Sequence, residues 1–243
     1  MAQPARLMGG AGRRVAVSTA LIGLSLAMGG CATAGASSGA TPSSDAASPS
    51  RGSTSPPAQT PSPSLSIVVV GDSNSTGFNG TLERGMADGT AWAALLPVPE
   101  DTTVGGWAMD GATTAAMLQG IVAAPATDAD ALVVMGGTND LGQGVAPEAV
   151  LQNIEQIVAQ VNASCVVLSA IAPFDPLAMQ AVDLNASFAD LANARGWVFV
   201  DPWSAARQSD GTWLPALRTD GIHTSPEGYA LAATAIGTAL SEC

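Results

Sequence analysis

The sequence predicts an α/β domain in which helices cover both faces of a mainly parallel β-sheet. Short apolar runs recur along the chain, and segments with helical apolar spacing separate them. These runs are apolar throughout and do not alternate with polar residues, which is typical of strands buried on both faces. In such sheets reactive groups gather at the carboxyl ends of the strands, so the residues directly after each run are the first candidates for chemistry.

Five runs are predicted strands and five segments between or after them are predicted helices. The clearest strand is "LSIVVV" at 65–70, bounded by prolines and by Gly71. The strands lie at 65–70, 101–107, 131–137, 164–172 and 197–201, of which 101–107 is the weakest. The helices lie at 89–96, 111–122, 147–161, 176–195 and 225–240, the last with Ser225 as its predicted N-cap.

The first 64 residues have a different character from the predicted domain. Residues 1–30 resemble an export signal, because three arginines precede an apolar run that is too short for a membrane-spanning helix. Residues 31–64 are almost entirely Ala, Ser, Thr, Gly and Pro, a composition that buries too little apolar surface to offset the entropy of chain ordering. We therefore predict a signal peptide at 1–30, a disordered tether at 31–64 and one folded domain at 65–243.

Cys31 closes the predicted signal in "AMGGC", which resembles the lipobox at which bacterial lipoproteins are cut and lipidated. Lipidation would make Cys31 the new N-terminus and hold the domain away from the membrane on its tether. The alternative is an ordinary signal peptide cut near the alanines at 32–36. We expect an exported protein in either case, lipid-anchored and facing outside or secreted.

The net charge argues against some classes of binding partner, and the cysteine content suggests a disulfide. The formal net charge is −12 at pH 7, and removal of the three signal arginines leaves about −15. Such a surface is a poor partner for nucleic acid and for anionic lipid, so we expect membrane contact through the N-terminal lipid only. Cys165 and Cys243 form an even pair in an exported domain and are a candidate disulfide.

His223 is the only histidine of the chain and lies in "RTDGIHTSPEGY". One histidine and two distant cysteines cannot form a zinc site of the usual kind. Asp220 lies three residues earlier, and this spacing lets a carboxylate bind one imidazole nitrogen while the other faces outward, as a general base beside a nucleophile requires. The alternative is an ordinary loop histidine.

Ser73 is the serine best placed to be a nucleophile. It follows the run at 65–70 across Gly71, where a hydroxyl can be presented at the carboxyl edge of the sheet. Ser225 is explained as a helix cap. The G-x-S-x-G pentapeptide of α/β-hydrolases does not occur around Ser73, so a different serine-hydrolase architecture is needed.

Acyl transfer also needs hydrogen-bond donors for the oxygen that becomes negative. Asn139 in "MGGTNDLG" follows a predicted strand and is a candidate side-chain donor, although these residues could also form a plain turn. A further donor could be a backbone N–H in "GWAMDGATT" at 106–114.

Three short blocks resemble, in order and in separation, those of the SGNH (GDSL) hydrolase family: "GDSN" at 71–74, "GGTND" at 136–140 and "DGIH" at 220–223. The resemblance covers about residues 65 to 242. It implies a flavodoxin-like three-layer α/β/α sandwich with a mainly parallel five-stranded sheet of order 2-1-3-4-5. It also implies that no metal or organic cofactor is needed.

The same resemblance implies a role for each matching residue. Ser73 would be the nucleophile, His223 the general base and acid, and Asp220 the carboxylate that orients His223. The Asn139 amide and the Ser73 backbone N–H would contribute to the oxyanion hole. A third donor usually comes from a glycine in the family. This chain has Ala108 at that position, and Gly106 is our second choice.

The expected activity is hydrolysis of carboxylic esters through an acyl-enzyme. No long apolar lid is visible in the sequence, which favours short acyl groups or carbohydrate esters. An acyltransferase with the same residues and a non-catalytic envelope binding protein of the same fold are the alternatives. Trp107 and Trp213 are candidate substrate contacts, although packing is the more ordinary role of tryptophan. We expect a monomer that takes a small-molecule, glycan or lipid ester.

Overall fold

A computed structural model of the protein describes residues 65–76, 91–123 and 128–243. They contain a five-stranded sheet in which every neighbouring pair of strands is parallel and the order is β2-β1-β3-β4-β5. The strands are β1 (Ser66–Gly71), β2 (Thr103–Ala108), β3 (Ala129–Met135), β4 (Ala163–Ser169) and β5 (Val198–Val200). The predicted α/β class and the strand order 2-1-3-4-5 are therefore confirmed.

Six α-helices accompany the sheet in the described residues. They are α1 (Ser73–Thr76), α2 (Thr114–Ala123), α3 (Thr138–Gly142), α4 (Pro147–Gln160), α5 (Ala178–Arg195) and α6 (Pro226–Leu240). No helix in the described part of the chain is both long enough and apolar enough to cross a membrane. The predicted signal peptide, Cys31 and the tether lie outside the described residues.

The interior strand β1 separates two apolar cores. Because side chains alternate along a strand, Ile67 and Val69 face one core and Val68 and Val70 face the other. The first core includes residues of α6, and the second includes residues of α2, α4 and α5. This burial on both faces explains why the strand is an unbroken apolar run, and it produces three layers.

The segment predicted as a helix at 89–96 forms only a short 3₁₀ helix, Trp92–Leu95, within the described residues. Pro97 follows directly, and the residue before a proline is disfavoured in the α region, so the helix cannot continue. Ser225 does occupy the N-cap position of α6, but its side chain makes no capping hydrogen bond there.

Cys165 and Cys243 are joined by a disulfide with a Cα–Cα distance of 5.7 Å. Cys165 lies near the amino end of β4 and Cys243 lies just beyond α6. The bond closes a loop over a sequence separation of 78 residues, which restricts the unfolded chain strongly. It lies at the amino end of the strands, away from the carboxyl edge that the sequence marks for chemistry.

Candidate active site

Ser73 is the first residue of α1 and lies two residues beyond the carboxyl end of β1. The turn needs glycine at Gly71, because a Cβ there would lie 2.2 Å from Ser75 Oγ and 3.0 Å from the Met135 carbonyl oxygen. Asp72 accepts hydrogen bonds at the start of α1: its Oδ1 from the Asn74 N–H at 3.0 Å and its carbonyl from the Ser75 N–H at 2.9 Å. The close packing at Gly71 and the hydrogen bonds of Asp72 together hold the backbone at Ser73 in place.

The structure brings Ser73, His223 and Asp220 into one hydrogen-bonded chain. Ser73 Oγ lies 2.9 Å from His223 Nε2, and His223 Nδ1 lies 2.7 Å from Asp220 Oδ2. A carboxylate only accepts hydrogen bonds, so Nδ1 carries the proton and Nε2 is left as the acceptor for the serine hydroxyl. This arrangement can take a proton from Ser73 as its oxygen attacks an electrophile.

Asp220 also organises the backbone of its own loop. Its Oδ1 accepts the Ile222 N–H at 2.9 Å and the His223 N–H at 2.8 Å. Burial raises the pKa of Asp220, but the hydrogen bonds from the His223 side chain and from the two N–H groups outweigh it, so the pKa lies below its usual value. The carboxylate is therefore ionised at neutral pH and suited to stabilise an imidazolium.

Asn139 lies in α3, just beyond the end of β3. Its Nδ2 donates to the Ala112 carbonyl at 2.9 Å, which uses one of the two amide hydrogens. The next residue, Asp140, is fully buried and accepts the N–H of Thr114 at 2.8 Å and its hydroxyl at 2.7 Å. These bonds tie the end of β3 to the segment that follows β2, next to the other predicted oxyanion donor, Ala108.

Ala108 is the last residue of β2 and pairs with Gly71 of β1. The next N–H along the chain, that of Met109, donates to the Gly71 carbonyl at 3.3 Å. Since N–H directions alternate along a strand and β2 is an edge strand, the Ala108 N–H points away from the ladder. Gly106 lies two residues further from the carboxyl end of β2, at φ 138°, where a Cβ would come 2.0 Å from the Val69 carbonyl oxygen. Its N–H points to the same side as that of Ala108, so the choice of Ala108 as the oxyanion donor stays a prediction.

Asp72 is a second carboxyl group beside Ser73, and it is only 1% exposed. Burial raises its pKa to about 7, although the hydrogen bond from Asn74 and the proximity of His223 oppose this shift. Its Oδ2 has no hydrogen-bond partner among the described residues. It is Asp220, not Asp72, whose carboxylate oxygen is hydrogen-bonded to the imidazole, which agrees with the sequence interpretation.

Two buried residues that the sequence interpretation does not single out, Asn74 and Tyr229, connect the segment of Ser73 to the histidine loop and to α6. Asn74 Nδ2 donates to the Ile222 carbonyl at 3.5 Å, and the Tyr229 hydroxyl donates to Asn74 Oδ1 at 3.4 Å. Burial raises the pKa of Tyr229, so it stays a neutral donor. Asn74 lies in the block "GDSN" and Tyr229 ends the segment "RTDGIHTSPEGY", but nothing in one sequence indicates that they meet.

The structure corrects the prediction that Trp213 contacts substrate. Its side chain is 1% exposed and packs edge-on against Trp203 in the first core, with ring centroids 5.6 Å apart. Trp107 packs against α2, where a Cβ on Gly120 would lie 2.1 Å from the indole ring. It is half-buried there, so a substrate contact by Trp107 stays a prediction.

No group of three or more His, Cys, Asp or Glu side chains within 65–76, 91–123 and 128–243 is arranged to hold a metal ion.

The fold is shared with solved structures of low sequence identity. A protein assigned to the lipolytic G-D-S-L family from Desulfitobacterium hafniense aligns with a TM-score of 0.60 and 17% identity, covering 72% of this chain and 99% of its own. For a GDSL-like lipase from Bacteroides thetaiotaomicron the TM-score is 0.58, at 18% identity and 73% and 88% coverage. For an acetylxylan esterase from Geobacillus stearothermophilus it is 0.57, at 18% identity and 72% and 94% coverage.

Comparison of the sequence alone identifies a family but no individual curated relative. Comparison with curated proteins yields no significant match. The family model of the GDSL-like lipases and acylhydrolases matches residues 69–231, which is more than half of the chain and includes all three sequence blocks.

Proposed function

The chain belongs to the GDSL-like lipase/acylhydrolase family, and on that premise we propose that it is a serine esterase that works through an acyl-enzyme on Ser73. The observation that carries the proposal is the hydrogen-bonded chain from Ser73 Oγ through His223 to Asp220, at 2.9 and 2.7 Å. Ester hydrolysis is the activity of this family, and the three side chains occupy the positions that such chemistry needs.

The first half-reaction acylates Ser73. His223 Nε2 takes the hydroxyl proton as Oγ attacks the ester carbonyl carbon, and the carbonyl electron pair moves to its oxygen. The imidazolium then gives this proton to the alcohol oxygen as the ester C–O bond breaks, which releases the alcohol. Asp220 stabilises the imidazolium across the Nδ1 hydrogen bond, which is a charge-assisted contact.

The second half-reaction returns the enzyme to its starting state. His223 takes a proton from water as the water oxygen attacks the acyl carbon. The same proton returns to Ser73 Oγ as the carboxylic acid leaves. In both halves the negative oxygen would be stabilised by the Ser73 and Ala108 N–H groups and by the second hydrogen of Asn139 Nδ2.

For the substrate we propose short-chain acyl or carbohydrate esters. One solved structure of the same fold is an acetylxylan esterase, so acetylated xylan and p-nitrophenyl acetate are the first substrates to assay. A series of p-nitrophenyl esters of increasing chain length would define the acyl preference, with kcat/KM expected to fall as the chain lengthens.

For the location we propose export, with Cys31 as the lipidated residue. Two features support it: the arginine and apolar pattern of residues 1–30, and the cysteine that follows small residues in "AMGGC". Mass spectrometry of the protein isolated from membranes should find a diacylglyceryl group on Cys31. A mature N-terminus between residues 32 and 36 without lipid would overturn the anchor but not the export.

The activity is tested by the variant Ser73→Ala. Purified variant with an unchanged circular dichroism spectrum should hydrolyse p-nitrophenyl acetate at least about 10³-fold more slowly than the unaltered protein, because the nucleophile is lost. Activity within about tenfold of the unaltered protein would contradict the assignment. Adding an alcohol acceptor and analysing the products by mass distinguishes hydrolysis from acyl transfer.

A further inference from the structure

Asp175 makes contact with the loop that bears Asp220 and His223, although it lies far from both in sequence. It begins the short 3₁₀ helix Asp175–Leu177, between β4 and α5. Its N–H donates to the Gly221 carbonyl at 2.9 Å, and its Oδ2 lies 2.6 Å from Arg218 Nε. Gly221 lies between Asp220 and His223, so these contacts reach the loop at its centre and at its start.

The carboxylate of Asp175 is itself held by the core. Its Oδ1 accepts the N–H of Trp213 at 2.9 Å, and the indole of Trp213 is buried against Trp203. The Asp175 side chain is only 18% exposed, so its ion pair with Arg218 is partly shielded from water. One carboxylate oxygen of Asp175 is therefore bound to the backbone of a core residue, and the other is bound to Arg218 at the start of the loop.

Within the loop, local bonds fix its shape but not its place on the sheet. Arg218 pairs with Thr224 in an antiparallel bridge, and the Thr219 N–H and hydroxyl both donate to the His223 carbonyl, at 3.2 and 2.9 Å. Gly221 adopts φ +89°, and a Cβ there would come 3.1 Å from Asp175 Oδ2. The loop thus packs directly on the ion pair.

We propose that Asp175, acting through Arg218 and the Gly221 carbonyl, is a positioning residue that sets the distance and angle between His223 Nε2 and Ser73 Oγ. The proposal rests on the proposed function, because it assigns Asp175 a role in that site's reactivity. Displacement of a catalytic group by about 1 Å can cost on the order of 10²-fold in rate. Because the loop keeps its other attachments, we expect a smaller loss here, of about 5- to 20-fold.

The chain offers a matched control for this ion pair. Arg218 and Arg195 each pair with a carboxylate, and their side chains are 52% and 54% exposed. Arg195 pairs with Glu155, and this pair joins α5 to α4 instead of to the loop. Arg218→Gln and Arg195→Gln therefore remove equivalent charges, but only the first removes an ion pair that holds the loop.

Two readouts separate a positioning role from a structural one. The first is the rate at which a fluorophosphonate labels Ser73. The second is the proton resonance of imidazole Nδ1, which needs no residue assignment because His223 is the only histidine. Arg218→Gln should slow labelling about 5- to 20-fold and weaken or broaden the Nδ1 proton signal. Arg195→Gln should change neither, and Arg218→Lys should recover part of both.

Asp175→Asn gives a second route to the same result, because it keeps an oxygen for Trp213 but loses the charge that Arg218 needs. The proposal would be overturned if Arg218→Gln and Asp175→Asn were labelled at the same rate as the unaltered protein and gave the same Nδ1 proton signal. If the unaltered protein is not labelled at Ser73 at all, the proposed function fails. The Nδ1 signal still decides whether Asp175 and Arg218 position His223.

Discussion

The two parts of the candidate active site are held in place by different interactions. Asp72, Asn74 and Ser75, the neighbours of Ser73, are at most 1% exposed, and the strand before them is buried on both faces. The side chains of His223 and Asp220 are 24% and 53% exposed. Their loop is fixed mainly by hydrogen bonds and one ion pair.

This difference indicates which substitutions lower activity without lowering stability. The position of Ser73 is set by packing in the core, so a substitution that disturbs it should first lower the unfolding free energy. The place of His223 depends on a few polar contacts at the surface, each worth little to folding. Variants in the loop should therefore lose activity while staying folded, and variants under Ser73 should lose both.

The largest effect is expected from the loop itself. Asp220→Asn leaves an amide whose NH₂ group can donate to Nδ1, which favours the wrong tautomer of His223. The variant also removes the charge that stabilises the imidazolium. We expect kcat for p-nitrophenyl acetate to fall about 10²- to 10⁴-fold with little change in the melting temperature. A loss below about tenfold would show that His223 works without Asp220.

Asn139→Ala should have the next largest effect on activity. It removes the predicted side-chain oxyanion donor and one hydrogen bond to Ala112. We expect kcat to fall about 10²- to 10³-fold with KM nearly unchanged, because the lost bond forms mainly in the transition state. A rise in KM at constant kcat would instead assign Asn139 to ground-state binding.

Two glycine variants compare the regions directly. Gly71→Ala forces a Cβ against Ser75 Oγ and the Met135 carbonyl, so overpacking should lower the unfolding free energy by about 1–3 kcal/mol. Gly221→Ala brings a Cβ within 3.1 Å of Asp175 Oδ2, a tight contact, and must also hold φ +89°, at a cost of about 1–2 kcal/mol for the backbone. Urea unfolding gives the loss of unfolding free energy and kcat gives the loss of activity. For the same loss of unfolding free energy, Gly221→Ala should lose more activity than Gly71→Ala. The opposite ratio would contradict a Ser73 held by the core and a His223 held by polar contacts.

The disulfide lies outside both regions, so it serves as a control on stability alone. Thiol titration of denatured, unreduced protein should find Cys165 and Cys243 unreactive. Replacing both by serine should lower the unfolding free energy by about 2–5 kcal/mol with kcat unchanged at a temperature where the variant is folded. Two reactive thiols before reduction would show that the bond does not form.

The last prediction concerns Asp72, whose pKa rises from its ordinary value of 3.8 to about 7 in the folded protein because of its burial. Between these values the unfolded chain has released the proton and the folded chain still binds it, so stability falls as pH increases from about 4 to about 7. The slope is at most about 1.4 kcal/mol per pH unit. Asp72→Asn should lack this dependence, so its stability relative to the unaltered protein should increase over the same window. Parallel pH curves would contradict a buried, protonated Asp72.

Much of the fold follows from local sequence, because strands buried on both faces must be apolar throughout and helices must show apolar periodicity. The sequence also singles out Ser73, Asn139 and His223 as candidates, since each follows a recognisable break after a strand or before a helix, and the structure places Ser73 and His223 within hydrogen-bond distance. Segment 89–96 was harder, because its apolar residues favour a helix while Pro97 ends it.

Contacts between distant segments could not be predicted from one sequence. The sequence makes Trp213 a candidate substrate contact, but its burial depends on where Trp203 and α6 pack. The ion pair of Asp175 with Arg218 likewise depends on two loops meeting at one edge of the sheet. Such pairs have no local pattern, because the residues that decide them are far apart along the chain.

The most direct test of Ser73 as the nucleophile is to trap the acyl-enzyme. The protein is mixed with p-nitrophenyl acetate, quenched in acid within the first turnovers and digested, and the peptides are mapped by mass spectrometry. We predict one acetyl group on the peptide that contains Ser73, lost on further incubation and absent from Ser73→Ala. Steady hydrolysis with no acetyl group on Ser73, or with the group on another residue, would contradict the central claim.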